Sequence, residues 1–432
     1  MIRKILLSLF ITAVICCSCE GQNGEKRRTR TNIDMSVKVV DTISKGINSF
    51  VDKKPNFNVY IENSASMDGY VQGTADFKTT IYTYLQYINI GKLCDSLNLF
   101  YLNSRVFPQL TVTKNNTETL KVFIDKLNPD SFRNDGTIPG KKSRGSSDID
   151  DLMRSIVKTT DNDVVSILIT DGIFSPGGKD ASEFIAAQKV GLMGTFSTLM
   201  EKLDNAAVIL YKMESQFNGI YYDKNDKHIP YKGNRPYYIW VLGSADNLST
   251  LVQEVPVNKF YREPKIIYMI SEVTEHIPYT VDHSCGSHDT RKSNNTEIVN
   301  LKKDRAGNVT FAINVDFSKI LVSDNYLLNS DNYSYNMDEY NLEVYKISGN
   351  PKYTHKLKFT SEDGRPHLGE LSIKLKMDSP QWADESNEDK GEEPVDGKTY
   401  GLKYQMEGLY EAFTKDNKDE HAFYNDMRIK IK

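Results

Sequence analysis

The sequence predicts an α/β protein: a doubly wound, mostly parallel sheet over residues 56–255, followed by a β-rich C-terminal domain with a late helix over 256–432. Three observations lead there. Between residues 56 and 255, short apolar runs alternate with stretches of helical period. Residues 164–169 form a near-continuous apolar run, as in a strand covered on both faces. Beyond a Pro-bounded stretch at 256–264, the period changes to short strands separated by turn-rich segments such as 329–335.

Each element follows from its pattern. Residues 57–61 read as a buried strand, and Phe77, Ile81, Tyr84, Leu85 and Ile88 recur at helical spacing. Residues 97–102 make a second strand, with 105–112 beside it. Ile149, Leu152, Met153, Ile156 and Val157 mark a helix before the 164–169 strand. Leu192, Phe196, Leu199, Met200 and Leu203 share one helical face. Residues 206–212 and 237–242 read as strands, and 245–255 as a closing helix. In the second region, strands are expected at 266–270, 309–315, 342–347, 355–359 and 371–376, compatible with a sandwich. Tyr404, Met406, Leu409, Tyr410 and Phe413 predict the late helix, and 427–431 a final strand. Residues 382–398 are acidic and poor in apolar side chains, which predicts an exposed loop.

With 39% hydrophobic and 26% charged residues over 432 positions, sizeable cores can form. A formal net charge of -4 supplies no basic excess for nucleic acid. The N-terminus carries Arg3 and Lys4 and then an apolar stretch at 5–17, too short to span a bilayer comfortably. It ends in Cys16-Cys17-Ser18-Cys19, which resembles a bacterial lipoprotein cleavage site, with two cysteines where aliphatic and small residues are usual. The resemblance implies a signal peptide at 1–18, a lipid on Cys19, a tether and lead-in at 19–55, and a membrane-anchored place in the cell envelope, periplasmic or outer. Cleavage leaves 52 basic against 58 acidic residues. Cys94 and Cys285 remain, and their spacing leaves both a disulfide and two separate thiols open.

Two strand ends concentrate oxygen donors. Residues 59–67 read Val-Tyr-Ile-Glu-Asn-Ser-Ala-Ser-Met, and 165–172 read Val-Ser-Ile-Leu-Ile-Thr-Asp-Gly. Ligands of open parallel sheets gather beyond the carboxyl ends of the strands. Carboxylates, hydroxyls and waters together suit Mg²⁺. Glu62, Ser64, Ser66 and Asp171 are therefore candidate metal ligands, with Ser147 from the segment Gly-Ser-Ser-Asp-Ile-Asp at 145–150; Ser146 competes for that place.

These motifs resemble those of von Willebrand factor type A domains, over about 200 residues from 56 to 255. The resemblance implies direct coordination by Ser64 and Ser66, a water-mediated role for Asp171, and Ser147 where the family usually has threonine. It implies Mg²⁺ (or Ca²⁺ or Mn²⁺) with one position left for a carboxylate of a protein or glycoprotein partner. Glu62 stands where the family has aspartate, and its extra methylene displaces the carboxylate by about one C–C bond in a shell that tolerates little misplacement. The function expected is a lipid-anchored envelope binding module, not an enzyme. The alternatives are a metal-assisted phosphate or sulfate ester hydrolase with Ser64 or Ser66 as nucleophile, and a structural envelope protein with a decayed site. No histidine is placed in sequence near either motif to act as a base.

Two further segments draw attention. Residues 282–289, Asp-His-Ser-Cys-Gly-Ser-His-Asp, are dense in metal-ligating types, with His276 nearby. They lack a paired second cluster and read as a polar loop. Residues 172–179 are glycine-rich with a lysine but lack P-loop spacing, and read as a loop flanking the site.

Overall fold

In the computed structural model, residues 54–73, 75–113, 117–134, 144, 148–174, 181–272, 277–415, 422–424 and 426–432 are described. The expected signal peptide, Cys19, all but the end of the expected tether and lead-in, Ser146, Ser147, His276 and most of the 172–179 loop lie outside them.

Seven strands build the central sheet: β1 (Asn56–Glu62), β2 (Leu97–Leu102), β3 (Val106–Val112), β4 (Val164–Thr170), β5 (Ala206–Tyr222), β6 (His228–Ser244) and β7 (Ile266–Ser271). Their order is β3-β2-β1-β4-β6-β5-β7. The core β2-β1-β4 is parallel. β5 runs the same way, because β6 is antiparallel to both β4 and β5. Four of the seven strands thus share a direction, and β3, β6 and β7 oppose it. The result is a mixed α/β sheet.

Alternation of side chains along the strands feeds two cores, one on each face. Phe57, Val59, Ile61, Ile167, Ile169, Ile209 and Ile239 lie on one face with α2 (Asp76–Ile90), α3 (Thr117–Asp125) and α7 (Ala245–Glu254), after the single-turn α1 (Asp68–Val71). The short α4 (Pro129–Arg133) adds Phe132 there. Tyr60, Leu168, Leu210 and Trp240 face the other way, onto α5 (Ile149–Val157) and α6 (Ala181–Lys202). Central strands buried on both sides need apolar residues at successive positions, which is why 164–169 reads as a near-unbroken run.

Two departures from expectation matter for function. The strands expected at 206–212 and 237–242 are the inner halves of 17-residue strands, β5 and β6, joined by a turn at 223–227. The expected limit of the first domain at 255 also falls short of the sheet's end. The 266–270 run is its seventh strand, pairing with β5 from Ala207↔Ser271 to Lys212↔Ile266. β7 covers the edge that the long hairpin would otherwise leave unpaired.

The remaining chain adds β8 (Tyr279–Val281), β9 (Glu297–Ile298), β10 (Thr310–Val315), α8 (Asp324–Leu328), β11 (Tyr333–Tyr335), β12 (Tyr340–Lys346), β13 (His355–Ser361), β14 (Gly369–Leu375), α9 (Trp382–Ser386), β15 (Asn387–Glu388), β16 (Thr399–Tyr400), α10 (Leu402–Thr414) and β17 (Met427–Ile431). Most of these strands form two four-stranded sheets, β12-β13-β10-β8 and β11-β14-β17-β9. The sheets share a core through Phe311, Leu357, Phe359, Ile373 and Ile429. That core is continuous with the α5/α6 face of the central sheet.

The exposed loop expected at 382–398 is instead partly structured. It begins with α9, and β15 pairs in parallel with β16. Ala383, Ser386 and Asn387 are buried. The Lys212 ammonium donates to Ser386 Oγ and to the Gly397 carbonyl, both at 2.7 Å. Hydrogen bonds to a buried lysine tie this segment down despite its polar composition. Among the described residues, no disulfide joins Cys94 to Cys285. Among the described residues, no helix is long and apolar enough to cross a membrane.

Candidate functional site

β1 and β4 end side by side, with Ile61 level with Ile169, and the donors follow at once. Asn63 is fully buried and anchors the turn: its amide donates to the Phe132 carbonyl at 3.0 Å, and its oxygen accepts from Asn103 at 2.8 Å. Arg144 fastens the same turn from outside. It donates to the carbonyls of Asn63 (2.7 Å) and Ser64 (2.8 Å) and pairs with Asp68 at 2.5 Å. The Ser64 and Ser66 hydroxyls hydrogen-bond each other, with their oxygens 2.9 Å apart.

Asp171 comes to this pair from β4. Its Oδ1 accepts from the Ile173 N–H at 3.3 Å, and its Oδ2 is sealed from solvent without a hydrogen bond among the described residues. Asp171 is 3% exposed. Burial pushes its pKa up, while the positive charge of Arg235 and the Ser66 hydroxyl pull it back. Glu62, 4% exposed, leans along the sheet, and its Oε2 accepts from the Thr170 hydroxyl. Thr170 Oγ1 in turn accepts from the Gly172 N–H at 2.9 Å. The structure thus brings Ser64, Ser66 and Asp171 together and places Glu62 at their flank, engaged with Thr170. Ser147 is outside the described residues.

Sequence reasoning missed Arg235. It lies on the outer half of β6, opposite Ser215 and beyond the end of β4, whose last pairing is Thr170↔Tyr238. The long hairpin therefore carries Arg235 over the carboxyl ends of the strands. The residue is 2% exposed, and its guanidinium lies 4.6 Å from the Tyr221 ring centre and 5.6 Å from that of Phe217. Burial works against its charge, but the oxygens of Tyr70 and Asp171 more than offset this. Arg235 and Asp171 are coupled through space and are not in ion-pair contact. The overlooked signal was Met213, Phe217 and Tyr221 interleaved with polar residues, followed by a five-residue polar turn and a second polar-aromatic run.

The C-terminal region reaches the site from below. Gln405, fully buried on α10, donates to the Gly172 carbonyl at 2.5 Å. The Tyr238 hydroxyl donates to Thr399 at 2.9 Å. Gly401 has φ +80°, and a Cβ there would fall on the ring of Phe174, three residues after Asp171. Gly401→Ala should therefore lower stability by roughly 2–4 kcal/mol, from left-handed backbone strain plus overpacking. The midpoint of urea unfolding measures this, and an unchanged midpoint would show that the loop yields freely.

The donor set can be compared with a metal's demands. Cis ligands of an octahedron with bonds of 2.0–2.1 Å lie about 2.9 Å apart. The Ser64–Ser66 separation, that of a mutual hydrogen bond, equals that edge, and among the described residues Asp171 Oδ2 is a buried acceptor without a donor. The hydroxyls and Asp171 fit Mg²⁺ completed by water. Arg235 acts in the opposite direction, because a fixed positive charge weakens any cation nearby. Among the described residues, no three His, Cys, Asp or Glu side chains converge on a metal position.

No family model matches the chain, and no curated protein does. Among solved structures, it is similar to an aerotolerance-related membrane protein from Bacteroides fragilis NCTC 9343 with multiple mutations to serines. The likeness covers 41% of this chain and 81% of that one, at 13% identity and a TM-score of 0.24. The α/β class rests on the sheet itself.

Proposed function

We propose that the chain is a cell-envelope binding module, anchored by a lipid on Cys19, whose strand-end oxygens take Mg²⁺ and leave coordination positions for an acidic side chain of a protein or glycoprotein partner. The observation carrying this reading is the meeting of Ser64, Ser66 and the buried Asp171, whose Oδ2 has no hydrogen-bond donor among the described residues. Ser64 and Ser66 would bind the ion directly. Asp171 would bind it directly or through water, and Glu62 would act at one remove, since Thr170 holds its carboxylate. The ion would relieve the desolvated Asp171, as cations favour the charged form of a neighbouring acid. Binding of a partner carboxylate through the remaining positions needs no nucleophile and no base.

Isothermal titration of Mg²⁺ into wild type and Asp171→Ala tests the reading. Wild type should bind and gain thermal stability, and Asp171→Ala should lose both responses. Wild-type protein that gives neither heat nor a thermal shift with Mg²⁺, Ca²⁺ or Mn²⁺ would remove the metal from the proposal. A pull-down from membranes with and without chelator then reads the partner: metal-dependent capture is expected from wild type and not from Asp171→Ala.

A further inference from the structure

We propose that His283 and His288 form a Zn²⁺ site of two imidazole ligands completed by water, separate from the strand-end cluster. His283 Nδ1 and His288 Nε2 face each other at 3.4 Å, with ring centres 5.7 Å apart and planes inclined by 45°. That separation is long for a hydrogen bond, which centres near 2.9–3.0 Å for N–H donors. Two nitrogens on a tetrahedral ion with Zn–N bonds of 2.0–2.1 Å lie about 3.3–3.4 Å apart. The pair therefore has the spacing of two ligands awaiting an ion.

The backbone holds this spacing in place. Asp282 N–H donates to the Ala312 carbonyl and Asp289 N–H to the Val299 carbonyl, both at 2.8 Å, so the loop is pinned at either end. Lys302 N–H donates to the Ser287 carbonyl, also at 2.8 Å. Between them Gly286 adopts φ +80°, where a Cβ would fall on the Thr310 carbonyl. The turn admits no side chain there and little movement. Fixing ligands before the ion arrives lowers the ordering cost of binding.

The chemistry of the neighbourhood agrees. Asp282 and Asp289 add negative potential, and among the described residues no third His, Cys, Asp or Glu side chain joins the pair. Asp282 pairs with Lys356 at 2.7 Å and accepts from the Ser284 hydroxyl at 2.6 Å; Asp289 accepts from the Arg291 N–H at 3.1 Å. Two imidazoles and exchangeable water are what remains. Among the described residues His288 Nδ1 has no hydrogen-bond partner, so the outer hydrogen bond that tightens structural zinc is lacking. The site is reversible and open, suited to sensing Zn²⁺ or accepting one further donor.

Zn²⁺ titration of the full chain, after chelator treatment and dialysis, tests this in wild type, His283→Ala, His288→Ala, the double variant and Asp171→Ala. One Zn²⁺ should bind to wild type, each single histidine variant should weaken it by at least about tenfold, and Asp171→Ala should leave it unchanged. Metal-free thermal midpoints equal to wild type establish that the loop variants fold. Absence of Zn²⁺ binding to wild type, or equal affinity in the double variant, overturns the proposal. Loss confined to Asp171→Ala would assign the Zn²⁺ to the strand-end cluster and overturn it equally.

Discussion

Arg235→Met should destabilise the protein by roughly 1–3 kcal/mol at neutral pH, the cost of leaving buried polar groups without their partner. The guanidinium is 2% exposed and lies over the Tyr221 ring. Methionine retains much of the volume but neither the stacking nor the charge. The larger part of the loss comes from Asp171, whose desolvated carboxylate then lacks its main compensating charge. Its folded-state pKa, already above the ordinary 3.8, should rise further. A folded pKa raised above the unfolded one contributes stability that is fully present below the unfolded value and lost as pH rises through the folded value. The deficit of Arg235→Met should thus be greatest at neutral pH and shrink towards pH 4. Combining Arg235→Met with Asp171→Asn removes both charges and should recover most of the loss, because replacing a whole buried pair is often near neutral. Urea unfolding of the four proteins closes the double-mutant cycle. Equal losses in the presence and absence of the Asp171 charge would show that Arg235 serves packing alone.

Asp378→Asn should do the reverse and stabilise the protein at pH 7–8. Asp378 follows β14 and sits among tyrosines; the Tyr268 hydroxyl donates to its backbone carbonyl at 2.8 Å, and Tyr326, Tyr410 and Tyr424 lie within electrostatic reach. Burial alone pushes its carboxyl up to about 6 from 3.8. Among the described residues, no ion pair includes it. A tenfold change in proton affinity corresponds to about 1.4 kcal/mol, so ionising Asp378 costs the native state up to about 3 kcal/mol. That stability is present below pH 3.8 and disappears as pH rises through about 6. Asparagine cannot ionise, so the gain should appear above pH 6 and vanish near pH 4. Thermal midpoints measured across that window read the effect directly. A gain that persists at pH 4 would trace to asparagine's own hydrogen bonds rather than to the lost charge.

The local patterns carried far. β2 and β17 occupy the residues expected, and β1, β4, α2, α5 and α10 differ only at their ends. Their apolar residues recur at the period of the element itself, so a few neighbours suffice to identify each one. The oxygen cluster was legible for a related reason. Ser64, Ser66 and Asp171 each follow a strongly apolar strand, and parallel neighbours end on the same side of a sheet. What failed was reach. The outer halves of β5 and β6 alternate aromatic with polar residues and resemble loops, because one side of this projecting hairpin meets solvent. The 382–398 segment looked exposed by composition, yet Lys212 and neighbouring backbone bind its polar groups internally.

The sequence by itself determined the α/β class, the order of the main elements and the strand ends on which Ser64, Ser66 and Asp171 were expected to converge, since periodicity and strand direction are local properties. Only the tertiary structure decided what surrounds that convergence. The register of a 17-residue hairpin brings the Arg235 charge within electrostatic reach of Asp171, a hydrogen bond turns Glu62 towards Thr170, and α10 closes on Gly172 from more than two hundred residues away. Charges and caps of this kind act across space, where no local pattern records which partner a polar side chain will meet.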